Sequence, residues 1–417
     1  MKILLVTSRY PWPARRGDQM RALQMLDFLS GEHEVTLLAP APGPDLPKPP
    51  AAVAYRIEHY QPERGVAFVQ GMSRAVLERL PLQTGLFYQP DLGRKLRELA
   101  PKADLGILQL VRLASHLEDF GKTPILVDLI DSLSLNFSLR ADVDRLWLRP
   151  ALRLEARLLA RAERRLCEHA AGMIVVCERD RQALVNRLPA ALAAKIGVVR
   201  LAVRERQFAP PPEGEQLRAP GDEGPILAMT GNLGYFVNVD AVTWWLRDVW
   251  PTLRHVRPDV RVVVAGDRPA RAVRRAVETA GVRLLESPRD MRSVISQATL
   301  SLAPMRCGSG VPIKVLEAWA VGVPVVASPW AVAGTSGRQG EDFRLVGQHP
   351  VEWVTAVHEL LEDPAARERL ATSGRQRLAA DYSRDLARRQ LLGVIQSLGL
   401  AAAPGVSAAP LPRLAAE

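Results

Sequence analysis

Short apolar runs rich in β-branched residues alternate along the chain with segments whose apolar residues follow a helical spacing. Residues 2–7 and 35–39 are two such runs, and residues 18–30 between them place alanine, methionine and leucine on one face of a predicted helix. Strand, loop, helix and strand in this order are typical of a parallel α/β sheet. Further buried strands are predicted in this half of the chain at 104–110, 124–130, 172–177 and 196–199.

The longest helical pattern covers residues 144–169, with leucines on one side and Pro150 expected to break or kink it near its start. The other side is a stripe of arginines at three- and four-residue spacing: Arg145, Arg149, Arg153, Arg157, Arg161, Arg164 and Arg165. Two interpretations stay open. The stripe is either a solvated face with Glu155 and Glu163 as ion-pair partners, or a surface that docks on anionic lipid at the cytoplasmic leaflet.

The segment 205–224 is rich in proline, glycine and charge and is predicted to be a linker. The α/β alternation then restarts, with strands predicted at 225–231, 260–266, 282–286, 299–304 and 324–328 and helices at about 238–254 and 312–321. The predicted fold class is therefore α/β, with two Rossmann-like parallel-sheet domains facing across a cleft. The predicted organisation is an N-terminal domain (1–204), the linker (205–224), a C-terminal domain (225–385), and a helix end with a disordered tail (386–417). Ligands bind at the carboxyl ends of strands in such sheets, so the cleft is the expected site.

Composition narrows the choice of partner. The 417 residues are 47% hydrophobic and 24% charged, which excludes a disordered chain. The net charge of +10 suits a nucleic acid, an anionic membrane or a phosphorylated small molecule. Aromatic residues are only 5% of the chain and offer no platform for stacked bases, so nucleic acid is not expected. Only seven of the 55 cations are lysines, which makes each lysine more informative than any one arginine.

The cysteines and the apolar runs bear on location. Cys167, Cys177 and Cys307 form no CxxC motif and no disulfide framework, which is typical of a reducing compartment. No apolar run reaches the length of about 18 residues that a transmembrane helix needs, and the apolar stretch within residues 1–13 is too short for a signal-peptide core. We therefore expect a cytosolic protein, either free or peripheral on the inner face of the membrane.

The segment 304–328 carries the most informative chemistry. A predicted strand ends at Pro304, small residues follow, and a helix begins near Pro312, where proline suits the first turn. The small residues are Gly308, Ser309 and Gly310. Such residues before a helix N-terminus let backbone N–H groups approach an anion, which the helix dipole also favours.

Charged residues flank this loop in a way that suits a nucleotide. Arg306 and Lys314 could supply positive charge to a diphosphate. Glu317, about one turn into the helix, could accept hydrogen bonds from ribose hydroxyls. Taken alone, the segment is also compatible with a plain strand–turn–helix connection with solvated charges.

The order and spacing of these residues resemble a known family. The residues that carry the resemblance are Pro304, Arg306, Gly308, Gly310, Val311, Lys314, Leu316, Glu317, Ala318, Ala320, Gly322 and Pro324. Together they resemble the donor-binding signature of GT-B glycosyltransferases of family 4, in the branch found in bacterial exopolysaccharide clusters. The resemblance implies that the helix N-terminus, with Arg306 and Lys314, holds the nucleotide diphosphate, and that Glu317 binds the ribose. Ser309 and Val311 would line the same donor site.

Three other segments resemble the same family. Residues 230–241 resemble the loop that opens its second domain, with Gly231 allowing close approach to the donor and Asn232 bonding it, while Asn238 is expected to cap the following helix. Residues 10–22 resemble the family's loop after the first strand. Gly17 would there approach sugar or phosphate, and Asp18 would border the cleft together with Arg16 and Arg21. A turn-and-cap role for Gly17 and Asp18 is the alternative.

The third segment is 127–134. Asp128, Asp131 and Ser134 follow the branch's Asp-x-x-Asp-x-x-Ser pattern, which implies that Asp131 contacts the acceptor or the transferred sugar. A helix or turn cap is equally compatible with Asp131.

Departures from the family pattern leave the donor sugar open. Ser309 stands where the family often has a glutamate that touches the sugar, and residues 200–205 replace its usual Asn-Gly-Val. The segment 230–241 also lacks the Arg and Lys that many members carry there, so Arg306 and Lys314 are expected to supply the charge. No GxGxxG or GxxxxGK[ST] motif occurs, and Asp142 and Asp144 form a DxD only at a helix start. We therefore expect no cofactor and no metal site.

The sequence as a whole predicts a glycosyltransferase that moves a sugar from a nucleotide sugar to a glycan or lipid-linked glycan in bacterial polysaccharide biosynthesis. The resemblance implies retention of anomeric configuration. Two alternatives remain open, a nucleotide-sugar epimerase or hydrolase of the same fold and a non-catalytic subunit that binds sugar nucleotides.

Overall fold

The computed structural model describes residues 1–14, 16–50, 53–63, 65–203, 216–217 and 224–400. They form two compact units. Unit 1 comprises the described residues of 1–138, 148–199 and 388–400, and unit 2 comprises those of 139–147 and 200–387. The predicted linker, apart from Gln216, Leu217 and Gly224, and the predicted disordered tail after residue 400 lie outside the described residues.

Unit 1 is built on a sheet of seven parallel strands in the order β3-β2-β1-β4-β5-β6-β7. The strands are β1 (Lys2–Val6), β2 (Glu34–Pro40), β3 (Arg56–Tyr60), β4 (Leu105–Gln109), β5 (Ile125–Ile130), β6 (Gly172–Val175) and β7 (Ile196–Val198). Every residue of β4 and β6 is buried, because helices cover a parallel sheet on both faces. The register between β5 and β6 shifts between Asp128 and Ile130, and Ile130 has a φ of 66°.

The helices of the first half are α1 (Gly17–Leu29), α2 (Val66–Leu77), α3 (Leu82–Leu86), α4 (Pro90–Leu99), α5 (Leu133–Val143), α6 (Arg149–His169), α7 (Glu178–Val185) and α8 (Ala190–Ala193). Three segments are 3-10 helices: Ala100–Lys102, Val111–Phe120 and Leu146–Leu148. The apolar sides of α4 and α6 pack on the central strands in one core cluster, which includes Leu92, Leu96, Leu159 and Leu166.

Unit 2 is built on six parallel strands in the order β10-β9-β8-β11-β12-β13. The strands are β8 (Ile226–Thr230), β9 (Arg261–Gly266), β10 (Arg283–Glu286), β11 (Leu300–Ala303), β12 (Val325–Ala327) and β13 (Arg344–Leu345). The helices from this point on are α9 (Phe236–Asp248), α10 (Trp250–Val256), α11 (Arg271–Ala280), α12 (Met291–Ile295), α13 (Ile313–Ala320), α14 (Pro329–Val332), α15 (Pro350–Glu362), α16 (Pro364–Asp381) and α17 (Arg384–Ser397). Trp245 and Trp353 are completely buried in the core of this unit.

The predicted fold class is confirmed: both sheets are parallel and both have the doubly wound strand order. All strands predicted from apolar runs are present. The edge strands β3 and β13 were not predicted, because RIEHY and a two-residue strand carry no apolar run. Among the described helices, none is both long enough and apolar enough to cross a bilayer.

Prolines explain where the predicted helices differ from the observed ones. The helix predicted from residue 144 begins at Arg149, and Pro150 occupies its first turn, where no backbone N–H is needed, so it starts the helix instead of kinking it. The helix predicted over 238–254 is two helices, since Pro251 stands in the first turn of α10. Pro312 stands one position earlier than predicted, at the N-cap of α13.

Candidate functional site

The loop between β11 and α13 has a backbone that requires glycine at two positions. Gly308 and Gly310 have φ angles of 132° and 70°, a region that residues with a Cβ rarely adopt. A Cβ on Gly308 would also lie 3.0 Å from the Met305 methyl carbon. Pro312 at the N-cap has no side-chain acceptor for the first turn of α13. The loop therefore places glycine backbone immediately before the N-terminus of α13.

Lys314 is held at this end of α13 by a residue of α9. Its Nζ donates to Asn238 Oδ1 at 2.6 Å, and Asn238 Nδ2 donates to the Asn232 carbonyl at 2.9 Å. A Cβ on Gly231, whose φ is 141°, would lie 3.3 Å from Lys314 Nζ. The structure thus brings together Gly231, Asn232 and Lys314, which the sequence assigned to one site from two distant segments.

The prediction that Asn238 caps α9 is wrong. Tyr235 occupies the N-cap, and Asn238 lies inside the first turn, where its amide joins Asn232 to Lys314. Since Lys314 and Asn238 are 76 positions apart, no local pattern could have indicated the contact.

Lys314 and Glu317 lie one turn apart on α13 and are both half-buried. Burial lowers the pKa of Lys314 to about 8, against a smaller opposing effect of the Glu317 charge. Burial likewise raises the pKa of Glu317 to about 7, opposed by the Lys314 charge. Both groups therefore titrate close to neutral pH, where a ligand charge can shift them easily.

Arg306 is engaged by a carboxylate of α9. Its guanidinium donates two hydrogen bonds to Asp240, one of them from Nε at 2.9 Å, and it lies over the Trp244 ring with Cζ 5.7 Å from the centroid. A phosphate at Arg306 would have to compete with Asp240. Ser309 is half-buried and Val311 is buried in the same loop.

In unit 1, Gly17 begins α1 and Asp18 lies in its first turn. Asp18 accepts a hydrogen bond from Arg9 and lies 4.0 Å from Arg112 Nη1. Both guanidinium groups lie over the Phe87 ring, with Cζ atoms 5.3 and 5.0 Å from its centroid. Sequence reasoning missed this cationic pair, because arginines are too frequent here for any two to stand out.

Arg21, which the sequence predicted to border the cleft beside Asp18, has no exposed surface. It is fully buried and its Nε donates to Asp128 Oδ2 at 3.1 Å. Burial raises the pKa of Asp128, and the Arg21 charge opposes that rise. A buried pair of this kind holds α1 to β5, so Asp128 has a structural role.

Asp131 is the half-buried acid that follows β5. Ser134, the serine of the same pattern, is fully buried. Its backbone N donates to Glu163 Oε1 at 3.0 Å, and its hydroxyl accepts a hydrogen bond from Arg187 Nη1 at 2.8 Å. Burial raises the pKa of Glu163 to about 7, and the nearby Asp131 charge contributes to the rise. Asp128, the other acid of the pattern, is fully buried, so Asp131 is the one with access to solvent.

No group of three or more His, Cys, Asp or Glu side chains in the described ranges could hold a metal ion. The formal DxD triplet lies in and after α5, and its Asp144 accepts a hydrogen bond from Arg140 Nε at 2.9 Å.

The chain resembles many known proteins in sequence or structure, among them the following three. An α-D-kanosaminyltransferase from Streptomyces kanamyceticus is 29% identical over 192 residues, which are 43% of this chain and 47% of that enzyme. The match therefore spans about half the length of that relative. A sucrose-phosphate synthase from Thermosynechococcus elongatus superposes with a TM-score of 0.71 at 16% identity, covering 96% of this chain and 99% of that one. HepE from Anabaena, solved with UDP-glucose, has a TM-score of 0.64 at 13% identity, covering 95% and 100%.

The model of the family described as "Glycosyl transferases group 1" matches residues 224–363. This range contains Gly231, Lys314 and Glu317, so the predicted donor segments lie inside it. Residues 224–363 are therefore similar to the glycosyl transferase group 1 family, and the fold of the chain is GT-B.

Proposed function

We propose that this chain transfers a sugar from a nucleotide-sugar donor, bound by unit 2, to a glycan or lipid-linked glycan acceptor. The single observation that carries the proposal is Lys314, an amine with a pKa lowered to about 8 at a glycine-lined helix N-terminus. A diphosphate placed there would meet backbone N–H groups, a helix dipole and a cation together. HepE, a protein of the same fold, was solved with UDP-glucose, which supports a nucleotide sugar as the ligand.

Glu317 would bind the ribose of the donor. A ribose has two adjacent hydroxyl donors, and an ionised carboxylate offers two acceptor oxygens in matching geometry. Bound diphosphate would keep Lys314 charged, and that charge in turn favours the ionised form of Glu317. Binding of the diphosphate would thus favour the ionised form of Glu317, which is the form that accepts hydrogen bonds from the ribose.

The chemical step would rest on stabilising the departing diphosphate. Negative charge grows on its bridging oxygen as the bond to the sugar breaks, and prearranged donors around it stabilise that transition state. Lys314 and the first turn of α13 supply this stabilisation, with Arg306 joining them if phosphate displaces Asp240. Gly231, Asn232, Gly308, Ser309, Gly310 and Val311 would line the donor site.

Unit 1 would bind the acceptor. Asp131 would contact the acceptor or the transferred sugar, and Gly17 and Asp18 would border the same site. The family resemblance favours retention of anomeric configuration and a role in bacterial polysaccharide biosynthesis. The three cysteines of the chain are free and buried, which favours the reducing cytoplasm as the site of action, at the inner face of the membrane if the acceptor is lipid-linked.

Calorimetry against a panel of nucleotide sugars, followed by transfer assays with the donor that binds, tests the proposal. Lys314→Ala should lower turnover by about two orders of magnitude, the usual effect of removing one such donor. Lys102→Ala, which removes an exposed lysine of unit 1, is the matched control. Near-normal turnover in Lys314→Ala would remove this residue from the site. Donor consumed without acceptor would favour a hydrolase or epimerase, and binding without any turnover would favour a non-catalytic subunit.

A further inference from the structure

Two arginines follow neighbouring strands of the unit 1 sheet at the same distance. Arg9 stands three positions after the last residue of β1, and Arg112 stands three positions after the last residue of β4. Because β1 and β4 are parallel neighbours, both arginines follow the same edge of the sheet, its carboxyl end. The sheet continues to β2 and β3 on one side of this strand pair and to β5, β6 and β7 on the other. The two arginines therefore stand at the topological switch point, where doubly wound sheets bind ligands.

The backbone that leads from β4 to Arg112 has an unusual conformation. Leu110 has a φ of 72°, although it is not a glycine, and its N–H donates to the Asp128 carbonyl oxygen at 2.7 Å. Ile130, at the end of the neighbouring β5, has a φ of 66° and directly precedes Asp131. Left-handed backbone is unfavourable for residues with a side chain, and where it persists it clusters at functional sites. Both strands thus end on such a residue shortly before a charged side chain.

The two guanidinium groups share the same partners, Asp18 and Phe87. Arg9 Nη1 donates to Asp18 Oδ2, and Arg112 Nη1 lies 4.0 Å from the same oxygen. Both guanidinium groups also lie over the Phe87 ring. Arg112 Nε in addition donates to Gln83 Oε1 at 3.3 Å. These contacts hold both cations in place at the carboxyl end of the sheet.

The cluster of Arg9, Arg112 and Asp18 has a surplus of positive charge and is accessible to solvent. Two guanidinium groups face one carboxylate, which leaves the three side chains a charge of +1. The side chains of Arg9 and Arg112 are 26 and 19% exposed. A guanidinium group carries five N–H donors in a planar fork that matches a carboxylate or a phosphate. The Arg21–Asp128 pair of the same unit is, by contrast, neutral and fully buried, which suits its structural role.

We propose that Arg9 and Arg112 bind an acidic group of the acceptor, a carboxylate or a phosphate, at the switch point of unit 1. The inference rests on the proposed function for the identity of the two substrates. There the donor diphosphate meets the cations of unit 2, Lys314 and Arg306, so the cations of unit 1 are left for the acceptor. Phe87 supports both guanidinium groups in advance, which reduces the side-chain freedom lost when the acidic group binds.

This cluster selects the acceptor by its charge. A neutral glycan would leave the surplus charge of the two arginines unmatched, whereas a carboxylate or phosphate would add charge-assisted hydrogen bonds to them. Asp18 holds Arg9 in the free protein and competes with the acidic group for it. The arginine pair thus determines which acceptors bind, while the donors around the diphosphate in unit 2 stabilise the transition state.

Calorimetry on the full chain with matched probes tests this site. The probes are methyl α-glucoside, the corresponding glucuronide and the corresponding 6-phosphate, together with the same three compounds of galactose and mannose. We expect acidic probes to bind, and the neutral probe of the same sugar to bind at least tenfold more weakly. A preference for the carboxylate or for the phosphate identifies the acidic group. Titrations repeated with Lys314→Ala distinguish phosphate bound in unit 1 from phosphate bound in unit 2.

Substitutions in the cluster should change the binding of acidic probes alone. Arg9→Gln and Arg112→Gln should each weaken it roughly tenfold, the effect of losing one charge-assisted hydrogen bond, and leave neutral probes unaffected. Arg112→Lys keeps the charge and should restore part of the affinity. Asp18→Asn removes the competing carboxylate and should tighten the binding of acidic probes. The matched control is Arg94→Gln, which removes another arginine of unit 1 that pairs with a carboxylate, Asp91.

Four results would overturn the proposal. They are equal binding of acidic and neutral probes, no binding of any acidic probe, equal losses in Arg112→Gln and Arg94→Gln, and loss of acidic-probe binding in Lys314→Ala. The last result would place the acidic group in unit 2. Because these titrations need no donor, a failure of this site is distinguishable from a failure of the proposed function.

Discussion

Donor affinity should depend on pH with a maximum between the two titrations at the start of α13. The pKa of Lys314 is about 8 in the free protein, and a bound diphosphate should return it to at least its ordinary value of 10.5. Lys314 is about nine-tenths protonated at pH 7 and about one-tenth protonated at pH 9, so affinity should fall roughly tenfold between them, or about 1.4 kcal/mol. On the acid side, affinity should fall as pH drops below about 7, where Glu317 becomes protonated and loses an acceptor oxygen.

Calorimetry with UDP or the nucleotide found in the panel measures this dependence directly. Titrations in buffers of different ionisation enthalpy should show net proton uptake at about pH 8, since binding restores the proton of Lys314. Lys314→Met should abolish the alkaline limb, and Glu317→Gln should abolish the acid limb. The profile of Lys102→Met, which removes an exposed lysine of unit 1, should match that of the wild type.

One result would refute this reasoning. An affinity that is flat between about pH 7 and 9, with no proton exchange on binding, would show that neither group changes its protonation when the nucleotide binds. Lys314 would then not contact the diphosphate.

Three further outcomes are expected. If Arg306 binds the diphosphate, Asp240→Asn should tighten nucleotide binding by releasing the guanidinium, while Arg306→Gln should weaken it about tenfold; equal weakening in both would mean that the pair only holds the loop to α9. Gly308→Ala should lower the free energy of unfolding, measured in urea, by about 1–3 kcal/mol, because its φ is 132° and the new methyl group would press on Met305. The carboxyl of Glu163 has a pKa raised from 4.5 to about 7, so the native state binds the extra proton and stability should fall by up to about 3 kcal/mol as pH rises across this interval. Thermal unfolding of Glu163→Gln should lack that loss, and parallel curves for the two proteins would contradict it.

The sequence was sufficient for the strands that carry an apolar run, but not for β3 and β13, and it was sufficient for the placing of glycines before α13. Both features depend on local sequence: an apolar run predicts a buried strand, and Gly308 and Gly310 lie where the backbone turns before a helix. The partners of the charged groups were not predictable, because they depend on contacts between distant segments. Lys314 meets Asn238, and Arg306 meets Asp240, across 76 and 66 positions of the chain.

The orientation of α2 shows a different limit. Its apolar residues Val69, Val76 and Leu77 are exposed but would normally be assigned to the core, since periodicity alone does not say which side of a helix is covered. The close approach of Gly71 to Gly85 decides the matter, and only the folded backbone reveals it. Glu155 and Glu163 illustrate the same point on α6, where their spacing from the arginines suggested surface pairs but their carboxylates point to α3 and Ser134.

One turn of α9 holds both cations of the predicted donor site, Lys314 through Asn238 and Arg306 through Asp240. Changes in this turn and changes in the loop before α13 should therefore be epistatic, with double variants departing from the sum of the single ones. For a protein engineer, the two segments form a single module. A donor loop exchanged with a relative should keep its affinity only when the start of α9, residues 236–240, is exchanged with it.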